Sequence, residues 1–494
     1  MKNAALLVML LGAASCRSTL APADLILAGG RVFTSDAAHP WAQAVAVTGD
    51  HIVAVGSDAQ IRPLASAATR VIELRGRVVI PGINDAHLHQ PWSTNKRNLE
   101  IPGTATIDDV FARVADATKR YAPGTLIAGD IPVDLIDESR LTRDSLDAIA
   151  PLNPVMLGTL SGHAVLHNTA ALRLRNIAEG GQLNGWVYEY ALWAKDREIG
   201  AQVPDDVWIT QLRDFANSAL RLGITSVQSM SSLPADRAAR LAATTGVPLR
   251  WRFMQFEIGS VDEAPATATK YILDGTPIER GAALTEPYSD RPGTSGTMDW
   301  SDDEIRNMVT VAARTRQPLL LHVSGDRPFA TIFSAMNATP ADWPALRVRI
   351  EHGDFIKAYA GDAKRLGVVV VQNPSHFMLG PLTTERIGAE RQRDFQPLRS
   401  LIEQGIPVAI GSDGPLNPYL NIMFATIHAN NPAEAITREQ AVIAYTRGSA
   451  YAEFAEKTKG TIAPGMLADL VVLSQDIFTV GTSDLPKTEA DVTI

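Results

Sequence analysis

A chain of 494 residues is longer than one small core requires, so one large domain with a satellite is expected. Its net charge of −9, with 20% charged residues of both signs mixed along the chain, offers none of the long basic runs that neutralise phosphates, and no nucleic acid partner is expected. Hydrophobic residues make up 46%, which suits a folded body, and no internal run reaches the roughly 18 apolar residues of a membrane span.

The chain opens with Lys2, an apolar run from Ala4 to Leu11, the small residues Gly12-Ala13-Ala14-Ser15, and then Cys16, the one cysteine present. This pattern reads as a signal peptide over 1–16 and is similar to a bacterial lipoprotein signal. That similarity implies cleavage before Cys16, a lipid anchor on it, and an outer-membrane location facing the periplasm, with a soluble periplasmic form as the alternative.

Short runs follow at Asp24 to Leu27, Gly30 to Thr34, Ala44 to Val47 and His51 to Val55, and they read as antiparallel strands. Thr48-Gly49-Asp50 between the last two is a hairpin signal. Ala468 to Leu473, near the other end, is strand-like too, so 17–80 and 455–494 are expected to build one small β-sandwich domain. Between them, eight apolar runs alternate with helical stretches: Val79 to Ala86, Ile224 to Gln228, Leu249 to Gln255, Lys270 to Leu273, Pro318 to His322, Val348 to His352, Val368 to Gln372 and Pro407 to Ser412. Eight such runs predict an α/β fold, a distorted (β/α)8 TIM barrel over 81–454, with catalytic groups at the C-terminal strand ends. The stretch from about 91 to 204 is too long for one helix and reads as an inserted, partly helical segment that shapes the pocket.

Metal-binding residue types recur where these runs end. Pro81-Gly82-Ile83-Asn84-Asp85-Ala86-His87-Leu88-His89 places two imidazoles two apart, on one side of an extended chain. The fifth run ends in His322, the sixth in Glu351-His352-Gly353 and the eighth in Ser412-Asp413-Gly414. Four strands ending in His or Asp, from ten histidines in all, point to a hydrolytic site for a divalent ion with no thiolate ligand. Gln228 and Gln372 also end runs, where amides commonly satisfy backbone groups.

These strand-end residues, together with Ile462-Ala463-Pro464-Gly465-Met466-Leu467-Ala468-Asp469, resemble the amidohydrolase superfamily over essentially the whole mature chain. Asn153 to Met156 with Gly162-His163-Ala164, Gly223 to Val227 and Lys270 to Gly275 resemble the branch containing N-substituted formamide deformylases. The resemblance implies two divalent ions, zinc foremost, bridged by a carboxylated Lys270. On that basis His87 and His89 hold one ion and His322 and His352 the other, while Asp413 binds the first and handles protons. His163 and Glu189 are then substrate-binding candidates.

The expected activity is hydrolysis of a carbon–nitrogen bond (amide, N-acyl or formamide-like) in a small-molecule substrate, by a hydroxide bridging the metals. Three alternatives stand beside it: a mononuclear N-acyl deacylase, a lactone or ester hydrolase, and a lipid-anchored ligand-binding protein without turnover. A homodimer is an expectation by association with the superfamily.

Overall fold

The computed structural model describes residues 21–90, 98–178, 184–256 and 268–494. The leader, Cys16 and the expected start of the insertion at Pro91 lie outside these. No helix among the described residues is long and apolar enough to cross a membrane.

Eight strands run side by side in chain order: β1 (Ile83–Leu88), β2 (Ile224–Ser231), β3 (Arg250–Phe256), β4 (Thr269–Ile272), β5 (Leu319–Val323), β6 (Arg349–His352), β7 (Val369–Gln372) and β8 (Val408–Ile410). Parallel ladders join each to the next. All but β3 are buried at every residue. With helices outside and packed side chains inside, neither face meets water, which is why the runs are continuously apolar rather than alternating.

The barrel is distorted at one seam. Among the described residues β8 and β1 form no ladder. Instead the Asp413 N–H donates to the His87 carbonyl at 3.0 Å, and the Ser412 N–H donates to Asp85 Oδ1 at 2.9 Å. A Cβ on Gly411 would stand 2.4 Å from the His87 N and Cβ, so only glycine allows this approach.

The first expected barrel strand, Val79 to Ala86, needs correcting, because it is two strands. Val78–Pro81 belongs to a five-stranded sheet, between Arg31–Phe33 and Leu470–Leu473. The chain breaks at Gly82, where a Cβ would lie 2.1 Å from Thr225 Oγ1, and enters the barrel at Ile83. Both halves are fully buried, so apolar patterning cannot separate them. The five-stranded sheet packs on a four-stranded one built from Leu25–Ala28, Ala44–Thr48, His51–Gly56 and Arg70–Glu73. Leu27, Val45 and Ile52 meet Val32, Val79, Leu470 and Val472 in the shared core, so strands from both chain ends form one sandwich. The expected hairpin joins Ala44–Thr48 to His51–Gly56, with Gly49 at φ 60. Two of the N-terminal pairings are parallel rather than antiparallel: Leu25–Ala28 with Arg70–Glu73, and Arg31–Phe33 with Val78–Pro81.

The inserted segment, expected as partly helical, also contains a four-stranded sheet of Ile127–Asp130, Val155–Gly158, Ala164–His167 and Trp186–Tyr188. Helix Ile107–Arg120, capped by Thr106, packs Val110 and Val114 against this sheet at Ile127, Val155 and Leu157. An ion-pair cluster ties the insertion to the barrel loops. Asp137 pairs with Arg280, Arg291 and Arg386, and Asp290 pairs with Arg280 and Arg386. Burial pushes both carboxyl pKa values up, but these arginines more than offset it and hold them below the usual range. The clamp is therefore at full strength above the unfolded carboxylate pKa of about 3.9 and weakens as pH falls below it. Limited proteolysis should cut the insertion faster below about pH 4 before the barrel loses its circular dichroism; simultaneous loss of both would show that the clamp plays no separate part.

Candidate metal centre

Each candidate residue is delivered by its strand. His87 lies in β1 and His89 just beyond it, Lys270 in β4, His322 in β5, His352 at the end of β6, and Asp413 three residues after β8. His352 (φ 67) and Asp413 (φ 35) hold the left-handed backbone that residues with a Cβ rarely adopt. Such conformations persist where the surrounding structure enforces them, often at functional sites.

The side chains converge on the Asp413 carboxylate. His89 Nε2 lies 3.4 Å from Oδ1 and His87 Nε2 3.7 Å from it, while His352 Nε2 is 3.7 Å from Oδ2. Lys270 Nζ is 3.2 Å from His87 Nε2. Among the described residues His87, His352 and Asp413 form a trio whose donor atoms all lie within 4.8 Å of one another, drawing one imidazole from each expected pair. His322 adjoins them through His352, with ring centroids 4.3 Å apart.

Burial lowers the pKa of His87, His89, His322 and His352, so each presents a neutral ring with a lone pair. Burial opposes the Asp413 charge, but His87, the His376 hydrogen bond and His89 hold its carboxyl well below the usual range. Burial brings Lys270 down to about 8.

Two buried nitrogens, His322 Nε2 and His352 Nδ1, have no hydrogen-bond partner. An unsatisfied buried ring nitrogen is costly unless something binds it, so this oxygen-and-imidazole donor set fits a divalent ion.

Three contributors escape the sequence reading. Glu351, fully buried, takes the His87 Nδ1–H at 2.6 Å and so fixes the tautomer that leaves Nε2 free for the centre. Arg349 donates to Glu351 Oε1 at 2.8 Å and Oε2 at 3.2 Å. Against burial, which pushes up, Arg349 and His87 pull the Glu351 carboxyl down to about 2. His376, in the turn after β7, places Nε2 3.5 Å from Asp413 Oδ2. A charged pair inside an apolar strand was the available signal for the first two; a lone histidine beyond an Asn-Pro turn gave almost none for the third.

His163 comes from the insertion and sits 5.4 Å, ring to ring, from His322. Its Nδ1 is 2.8 Å from Glu189 Oε2. Burial works against the imidazolium, yet Glu189 pushes the pKa up to about 9. Glu189 itself is in left-handed backbone (φ 49) at the start of its helix. His163, Lys270, His322, His352 and Asp413 all line a cavity of about 370 Å³. Gln228 and Gln372 have supporting parts: Gln228 bonds Asn84, the Ser449 carbonyl and Arg349, and Gln372 donates to the His352 carbonyl at 3.4 Å.

The chain is 27% identical to an N-substituted formamide deformylase of Arthrobacter pascens, covering 94% of this chain and 95% of that protein. It is 25% identical to the protein LONG AFTER FAR-RED 3 of Arabidopsis thaliana, covering 94% and 89%. An uncharacterised metal-dependent hydrolase of Pyrococcus horikoshii shares the fold at a TM-score of 0.73 and 20% identity, covering 93% of this chain and 99% of that one. Residues 70–494, the barrel with four of the nine sandwich strands, match the Amidohydrolase family, and the chain belongs to it.

Proposed function

We propose that this metal-dependent hydrolase cleaves a carbon–nitrogen bond, amide, N-acyl or formamide-like, in a small molecule. The observation that carries the reading is the set of neutral, largely buried imidazoles, His87, His89 and His352 around Asp413 with His322 packed against His352. Similarity to a formamide deformylase over almost the full length supports the bond type.

His87, His89, His322, His352 and Asp413 would hold two divalent ions, zinc foremost, with a carboxylated Lys270 between them. Ions bound there would acidify a water molecule and polarise the scissile carbonyl. Burial brings the amine of Lys270 down to about 8, which raises at neutral pH the share of the unprotonated form that takes up carbon dioxide. Asp413, held ionised, accepts the proton released from water and returns it to the leaving nitrogen. His163, kept cationic by Glu189, donates a hydrogen bond to the substrate oxygen as negative charge develops there.

The test is elemental analysis of protein expressed with bicarbonate, paired with assays on N-acyl and formamide substrates. Two metal atoms per chain, fewer in Lys270→Ala, with amide turnover abolished by chelation and restored by zinc, is the expected result. The tight His87–His352–Asp413 trio favours a second reading, a mononuclear deacylase, which one atom per chain with full activity would establish. Turnover of esters or lactones alone would overturn the bond assignment. Binding without any turnover would leave the ligand-binding protein.

The leader supports a lipid anchor at Cys16. A Cys16→Ser protein still found in the membrane fraction would remove that assignment.

A further inference from the structure

A second, smaller chamber of about 160 Å³ opens from the metal centre, sharing His163, His322, His352 and Asp413 with the larger cavity. The two differ in character. Asp130, Asp196 and Arg197 line the larger one. The smaller is walled by Pro277, Ile278, Met378, Leu379 and Phe395, and among its lining residues there is no Lys or Arg.

Asp354 also lines the smaller chamber. It is 1% exposed, and its Oδ1 accepts no hydrogen bond. Ser324 and Gln396 hydrogen-bond the carboxyl group, and Oδ1 is the oxygen left without a partner. The other acid on the lining, Asp413, belongs to the metal centre, and His376 is turned to Asp413. A buried carboxyl oxygen without a donor, in a largely apolar chamber whose histidines are engaged by other acids, His163 by Glu189 and His376 by Asp413, is complementary to a ligand that brings its own cation.

We propose that this chamber is a specificity subsite for one of the two groups joined by the scissile bond, and that it takes a short apolar arm carrying a protonated amine, which Asp354 recognises. At ~30 Å³ for each water-sized group, the chamber has room for about five such groups. Apolar walls discriminate weakly between ligands of similar size, whereas a buried polar group left unpaired rejects a ligand that lacks the matching donor. Asp354 therefore sets the preference, and Met378, 49% exposed, lends an adaptable side chain to the lining.

The inference deepens the hydrolase reading and rests on it for what the ligand is, but binding tests it without turnover. The probe is n-butylamine, titrated by ligand-observed NMR into the metal-loaded, full-length protein, with n-butanol as the uncharged probe of the same size. The expected result is that n-butylamine binds at least tenfold more tightly than n-butanol. Asp354→Asn should remove that difference while keeping the wild-type metal content and melting temperature, and Leu379→Trp, which fills the chamber, should abolish binding. Equal binding by Asp354→Asn, equal binding of n-butanol, no binding of n-butylamine, or binding that survives Leu379→Trp would each overturn the proposal, the last by pointing to direct ligation of the metal. Asp354-dependent binding with no carbon–nitrogen hydrolysis would sink the hydrolase reading alone, and hydrolysis with Asp354-independent binding would sink the subsite alone.

Discussion

An Asp413→Asn variant is expected to fold normally and to lose kcat/KM by about 10²- to 10⁴-fold, the usual contribution of a positioned acid–base group. The fold should survive because the seam contact of Asp413 is made by its backbone N–H to His87, which the substitution leaves in place. Asparagine also tolerates the left-handed backbone found at this position better than most residues. The chemistry should fail because an amide takes up no proton and would turn N–H groups towards His87, His89, His352 or His376, which now meet carboxylate oxygens. Kinetics, metal content and circular dichroism measured on one preparation decide the matter. Undiminished hydrolysis at full metal content would remove Asp413 from proton transfer.

The second large effect concerns the buried pair behind His87. Arg349→Met should destabilise the protein by about 3–5 kcal/mol, because it leaves Glu351 charged, fully buried and short of its main partner. Arg349 also donates to the Ala86 carbonyl at 2.9 Å, so the β1 backbone beside the site loses a bond as well. Glu351→Gln acts differently. It removes a charge from behind the imidazole and should weaken metal affinity by about 10- to 100-fold, the usual cost of losing a carboxylate that orients a ligating histidine. Urea midpoints and competitive chelator titrations on both variants separate the two parts. If both leave metal affinity at the wild-type value, His87 is not a ligand or Glu351 does not orient it.

His87, His89, His322, His352 and Asp413 were legible because each closes or follows an apolar run, whereas Lys270, His163 and Glu189 were legible only through the family resemblance. His322 and His352 end runs buried on both faces, Asp413 follows another, and His87 and His89 close the first, so the chain itself marks where strand gives way to site. Glu351 and Arg349 were hidden by the same signal. They sit inside β6, and their importance lies in His87, which is 264 positions from Glu351, and in Gln228 on β2. His376 was hidden because a turn residue shows no periodicity.

The chain alone made readable the eight-strand count, a sandwich of strands from its two ends and the residue types at the mouth of the barrel, but not the parallel pairings within that sandwich. These follow from local burial: an apolar run must be covered, and a polar group at its end must find a partner. Packing in three dimensions was needed to divide the first run at Gly82 between two sheets, to leave the barrel without a ladder between β8 and β1, and to group His87 with His352 rather than with His89 alone. Those outcomes depend on how strands stagger around a closing barrel and on the close approach that Gly82 and Gly411 permit. Stagger and close approach are relations between distant segments, and neither alters the hydrophobic pattern of either segment.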